Sequence, residues 1–149
     1  MLMALSVSDI LRRKLESVEE TTSIQEVAKK MKDRNVSSLV VVDTNRKPVG
    51  IVTERDIITK VCIKDVPTST VISKEIMSTP LITIKGSSST STAAQMMIKN
   101  NVRHLLVIDD DNDRIGIITP LDFTRHRGYT ADEDREAIER VLDTYMEWL

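Results

Sequence analysis

The chain has 149 residues, a formal net charge of −2 and only 3% aromatic residues. It therefore lacks the basic surplus of a nucleic-acid binder, and without a run of 18 apolar residues it carries no signature of a membrane span. A single cysteine, Cys62, excludes a disulfide framework and a cysteine-rich zinc site.

At this length one compact, self-sufficient fold is expected, its core made of Val, Ile, Leu, Met and Ala. The lone cysteine fits a reducing, cytoplasmic setting, with Cys62 expected to be buried and inert. The opening MLMALSVSDILRRK has no basic segment ahead of its apolar start, so it does not read as a secretory signal.

In chain order, Leu15 to Val18 reads as a short strand. Ser23-Ile-Gln-Glu26 then reads as a capping box, in which a hydroxyl and a carboxylate satisfy the open start of a helix. Ile24, Val27, Ala28 and Met31 follow helical spacing on one face of that helix. The β-rich run Ser38 to Val42 reads as a strand, and Asp43 to Lys47 as a polar turn. Gly50-Ile-Val-Thr53 is a further strand, and Thr53-x-x-Asp56 opens a short second helix. A linker at 64–70 contains Pro67.

The same series then recurs 66 residues later without a gap. Leu81 to Ile84 is the short strand, and the Ser/Thr-rich Gly86 to Thr92 is a loop and helix cap. Ala93, Ala94 and Met97 lie on the helix, His104 to Ile108 form the strand, and Asp109 to Asp113 the turn. Gly116-Ile-Ile-Thr119 and Asp122 close the copy. The register pairs Asn35 with Asn101, Leu39 with Leu105, Gly50 with Gly116, Thr53 with Thr119 and Asp56 with Asp122. A final helix is signalled by the capping box Thr130-Ala-Asp-Glu133 and by the stripe Ile138, Val141, Leu142, Tyr145 and Leu149, with Trp148 near its edge. That helix either packs on its own domain or serves a partner.

The fold class is thus α+β with α/β-type layers: two β-α-β-β-α units packed with pseudo-twofold symmetry, plus a C-terminal helix. The expected division is repeat 1 at 7–63, linker at 64–70, repeat 2 at 71–127 and a helical extension at 128–149. The acidic turn from Asp109 lacks the glycine and glutamate an EF-hand loop needs at its sixth and twelfth positions, which here hold Arg114 and Pro120. It reads as a solvated hairpin turn. With two histidines, His104 and His126, and no Ser/His/Asp or Cys/His grouping, neither a metal site nor catalysis is expected.

The duplicated Gly-x-x-Thr-x-x-Asp, with the strands Leu39-Val-Val-Val-Asp43 and Leu105-Leu-Val-Ile-Asp109, resembles a tandem pair of cystathionine β-synthase (CBS) domains, a Bateman module, over about residues 7 to 127. The resemblance implies a regulatory, non-enzymatic sensor of AMP, ADP, ATP or S-adenosylmethionine. It needs no cofactor, forms a homodimer of CBS pairs, and signals energy status to a partner protein. It further implies two pockets, each shared between repeats. Pocket A takes Ile51, Thr53 and Asp56 with Leu81, Ile82, Val102, Arg103 and His104, and Arg55 adds a third basic group. Pocket B takes Ile117, Thr119 and Asp122 with Leu15, Glu16, Val36, Ser37 and Ser38. A carboxylate accepts from both ribose hydroxyls, and a threonine at a helix start donates to phosphate. Pocket A has basic residues for phosphate, whereas pocket B has serines and Glu16, so pocket A is the favoured one. The contrasting expectation is a structural or protein-interaction module with no nucleotide. Under it, Asp56 and Asp122 are plain helix-start carboxylates.

Overall fold

The computed structural model describes residues 5–11, 15–111, 113–124 and 132–145, the side chains of 132–134 excepted. The calls on Thr130, Ala131 and the Glu133 side chain, and on His126, Trp148 and Leu149, lie outside what it describes.

The elements are α1 (Val7–Ile10), β1 (Ser17–Glu19), α2 (Ile24–Arg34), β2 (Ser38–Val42), β3 (Pro48–Thr53) and α3 (Glu54–Ile57), followed by a π-helical turn (Ile58–Cys62). A 3-10 turn (Thr68–Thr70) leads to α4 (Ser73–Ile76), β4 (Thr83–Lys85), α5 (Thr90–Asn100), β5 (Leu105–Ile108), β6 (Arg114–Ile118), α6 (Pro120–Phe123) and α7 (Asp132–Tyr145). There are two three-stranded sheets, β1-β2-β3 and β4-β5-β6. In each, the first pair is parallel, joined through a helix, and the second is an antiparallel hairpin. The β-α-β-β-α order read from the sequence is present twice.

Local chemistry explains the shared shape. Ser23 accepts from the Glu26 amide at 3.2 Å, and Ser89 from the Thr92 amide at 3.0 Å, so each long helix starts on a serine cap. The expected reciprocal arm from Glu26 is replaced by an exposed pair with Lys29 at 3.2 Å. Both helices end on an asparagine in the left-handed region, Asn35 at φ 53° and Asn101 at φ 51°. Asparagine tolerates that conformation better than other residues with a side chain, which accounts for its recurrence in the repeat register. Asp43 and Asp109 fold their turns alike: each Oδ1 accepts two backbone amides, Asn45 and Lys47 or Asp111 and Asp113. The acidic turn is thus a hairpin turn.

The short strands sit two residues beyond their expected starts, at 17–19 and 83–85 rather than from Leu15 and Leu81. Parallel register decides this, because Ser17 to Glu19 face Val40 to Val42, and Thr83 to Lys85 face Leu106 to Ile108. Leu39 to Val42 are buried along the whole run, so the strand reads as continuous apolar sequence rather than as alternation.

The chain divides into two compact units, 15–81 and 1–14 with 82–149. The cuts differ from the repeat boundaries because each segment ahead of a repeat packs on the other copy. In the 15–81 unit, the Ser73 amide and hydroxyl both donate to the Thr22 carbonyl, at 2.8 and 2.9 Å, and Lys74 N–H donates to Glu20. In the other unit, Val7 N–H donates to Ser88, Ser8 to Gly86 and Thr90 to Leu5. The helices α1 and α4 were not foreseen.

The 15–81 core gathers Val18, Ile24, Val27, Met31, Leu39, Val41, Val52, Val61 and Ile76. Ala28, expected on the buried face, is exposed. Its counterpart Ala94 is fully buried, because α7 packs along α5 and only one unit has such a helix. Ile138, Val141, Leu142 and Tyr145 join the core of that unit, so the described part of the stripe serves its own domain. Cys62, expected to be buried, is exposed. It ends the π-helical turn, where Val61 takes the inward position.

Gly50 is required by a close approach. A Cβ there would lie 2.8 Å from Met77 Sδ and 2.9 Å from the Ser78 carbonyl oxygen. That carbonyl already accepts from Ile51 N–H at 3.1 Å, so it has little room to retreat. Gly50→Ala is expected to lower stability by about 1.5 kcal/mol through overpacking, read as a fall in the urea midpoint at unchanged slope.

Candidate functional site

Each unit presents a threonine at the end of a strand and an aspartate one helical turn on. β3 delivers Thr53 to the start of α3, and β6 delivers Thr119 to the start of α6. Asp56 is 7% exposed and Asp122 8%. A buried carboxylate must be met by donors, and the threonines supply them. Asp56 Oδ2 accepts from the Thr53 amide at 3.0 Å and hydroxyl at 3.1 Å, while the Asp56 amide donates back to Thr53 Oγ1 at 3.1 Å. Asp122 Oδ2 accepts from the Thr119 amide at 2.9 Å and hydroxyl at 3.4 Å. The helix-capping role of both pairs is therefore present in the fold.

Asp56 has two further partners that the local sequence pattern did not bring into the site. Lys60 Nζ lies 3.0 Å from Oδ1, and Ser78 Oγ donates to Oδ1 at 3.2 Å. Lys60 carried a readable signal, since an acid four residues before a lysine faces it on a helix. Ser78 carried none, being 22 residues away. It arrives because its backbone bridges to Ile51.

Within the 15–81 unit, two of the remaining site candidates lie beside Thr53. Ser38 pairs with Thr53 across the sheet, and the Glu54 amide donates to the Ser37 carbonyl at 3.0 Å. Val36 closes the end of α2, its amide donating to Met31. Leu15 and Leu81 are half-buried, Ile51 is buried and Arg55 is exposed. Glu16 turns its carboxylate toward α2, 3.8 Å from Lys30 and 3.9 Å from Arg34, while its carbonyl accepts from Val40.

In the other unit Ile82 accepts from the Leu106 amide, and Val102, Arg103 and His104 lead, half-buried, into β5. Ile117 of β6 pairs with Leu106 of β5. Burial raises the Tyr145 phenol above its ordinary pKa, and the nearby Arg103 charge opposes that rise. Arg103 thus lies within electrostatic reach of α7. A cleft of about 590 Å³ in the 15–81 unit, between β1 and α2, mixes acids and bases and includes none of the threonine–aspartate pairs. Among the described residues no three His, Cys, Asp or Glu side chains group to hold a metal, and no helix is long and apolar enough to cross a membrane.

The CBS domain family model matches residues 7–62 and 64–128. The chain belongs to the CBS domain family. The two matches restate the internal repeat as two CBS domains in tandem. An uncharacterized protein of Methanopyrus kandleri is 31% identical over 142 residues, covering 93% of this chain and 72% of that one. Among solved structures, a CBS domain protein of unknown function from Thermoplasma acidophilum superimposes with a TM-score of 0.77 at 25% identity, covering 95% of this chain and 78% of that one. A CBS domain protein from Pyrobaculum aerophilum, described as complexed with AMP, gives a TM-score of 0.74 at 26% identity, covering 84% of this chain and 95% of that one.

Proposed function

We propose that this CBS pair is a non-enzymatic regulatory module that binds an adenosine nucleotide and passes its occupancy to a partner protein. The observation that carries the reading is the duplicated threonine–aspartate pair, its aspartate buried and held at a strand-to-helix junction in both units. The AMP complex of the Pyrobaculum aerophilum relative supports the choice of ligand. In this reading the ribose diol goes to Asp56, the apolar Ile51 and Leu81 serve the base, and Arg55 lies near the phosphate. In the repeat register Ser37 and Ser38 stand where the first copy of the site is assigned Arg103 and His104, which makes the Asp122 site the weaker one for a phosphate. That second site stays empty or takes a less charged adenosyl compound. The module works in the cytoplasm as a homodimer, with energy status as the signal.

Thermal or urea unfolding with AMP, ATP and S-adenosylmethionine tests the reading. A ligand at ten times its Kd is expected to add about 1.4 kcal/mol of stability. No shift with any of the three would favour a second reading, a protein-interaction module without a nucleotide. One observation speaks for it: Thr53, Lys60 and Ser78 give the Asp56 carboxylate a set of donors from the protein itself.

A further inference from the structure

The inference concerns how the Asp56 site is regulated, and it rests on the nucleotide reading above. A carboxylate offers about four lone-pair positions to donors. At Asp56 four donor groups occupy them. Oδ2 takes the Thr53 amide and hydroxyl, and Oδ1 takes the Lys60 ammonium at 3.0 Å and the Ser78 hydroxyl at 3.2 Å. The Thr53 arm is built into the start of α3, and losing it would uncap the helix. The Oδ1 arm is made by two side chains from outside that cap. A ribose diol brings two more O–H donors, so it can dock on Asp56 only where Lys60 and Ser78 give way.

Those two side chains are tied to one neighbouring segment. Lys60 Nζ also donates to the Ile76 carbonyl at 2.8 Å, at the end of α4. Ser78 follows two residues later, with its backbone paired to Ile51 at 2.8 and 3.1 Å. Lys60 sits in the π-helical turn that starts two residues after Asp56, a local widening often found at functional sites. In the repeat register the positions of Lys60 and Ser78 are filled by His126 and Arg12. The lysine–serine combination is therefore not repeated in the sequence of the second copy.

We propose that Lys60 and Ser78 form a displaceable latch on Asp56: they hold the carboxylate when the site is empty, and ribose binding releases them, loosening the segment from Ile76 to Ser78. Ligand occupancy then leaves the site as a change in α4 and the strand pairing beyond it. Lys60 and Ser78 are positioning residues in this device. Coupling of this kind is reciprocal, so weakening the latch strengthens the ligand by the same factor.

Adenosine isolates the effect, because it presents the diol without a phosphate that would be drawn to the lysine charge. In the full chain, Lys60→Met keeps the aliphatic stem and removes the ammonium. Calorimetric titration is expected to show adenosine binding about threefold tighter to K60M than to the wild type, the scale of a partly exposed ion pair. Ser78→Ala is expected to move affinity the same way. Hydrogen exchange gives the second reading: the Met77 and Ser78 amides of the unliganded K60M protein, and of the wild type with AMP, are expected to exchange faster than in the unliganded wild type. If the wild type binds adenosine and K60M binds it more weakly, the latch is wrong and Lys60 supports the ligand directly, while the nucleotide reading stands. Slower or unchanged exchange at those amides in liganded wild type also overturns the latch alone. If no variant binds adenosine or AMP, the nucleotide reading falls and the latch with it.

Discussion

Phe123→Ala is expected to lower the unfolding free energy by about 4 kcal/mol, the largest stability loss foreseen for any single truncation in this chain. Phe123 is the only phenylalanine and is 2% exposed. It joins Val7, Ile10, Leu105, Ile118 and Leu142 in one core, to which α1, α7 and the strands of that unit all contribute. A close-packed interior relaxes only in part around a deleted ring, so a cavity cost adds to the lost transfer energy. Leu121 is an internal control. It lies on the same four-residue helix, α6, and is 37% exposed. Leu121→Ala is expected to change stability by under about 0.5 kcal/mol. Urea unfolding of both variants, followed by far-UV circular dichroism, separates a packing effect from a general weakening of α6. Equal losses in the two variants would refute the packing account.

How much of this was legible in the sequence depends on the range of the forces involved. Caps, turns and helix ends are set within four residues, and the ungapped repeat exposed them twice over: Ser23 and Ser89, Asn35 and Asn101, Asp43 and Asp109. The threonine–aspartate pairs belong to the same class. What escaped was set at long range. The starts of β1 and β4 follow their parallel partners rather than their own residues. The placement of α1 and α4 is fixed by backbone hydrogen bonds spanning about 50 residues or more, Ser73 to Thr22 and Val7 to Ser88. Ala28 and Ala94 occupy equal positions in the register, and the presence of α7 on only one of the two helices gives them different burial. Cys62, a lone cysteine with no motif around it, was expected in the core, yet it is exposed, as Ile63 beside it is at 73% and Ile58 at 55%. Periodicity fails there because the helix widens to a π-turn and the 3.6-residue count no longer tells inside from outside.

Asp56→Asn is expected to weaken AMP binding about thirtyfold, and the arithmetic follows from the donors around the carboxylate. Two ribose hydroxyls on a charged acceptor contribute about 1.5 kcal/mol each, roughly 3 kcal/mol together. Displacing the 40%-exposed Lys60 from Oδ1 offsets about 1 kcal/mol of that. The remaining 2 kcal/mol is about thirtyfold in Kd. Asparagine keeps the size of the side chain and one oxygen to accept the Thr53 amide, so α3 stays capped and the variant is expected to remain folded. Asp122→Asn is the matched comparison. With the ribose assigned to Asp56, it is expected to leave AMP affinity within about twofold, less than the value of one neutral hydrogen bond. Calorimetric titration of both variants reads the difference directly. Loss of AMP binding only in Asp122→Asn would move the nucleotide to the other threonine–aspartate pair. Equal partial losses would mean that both carboxylates serve a nucleotide.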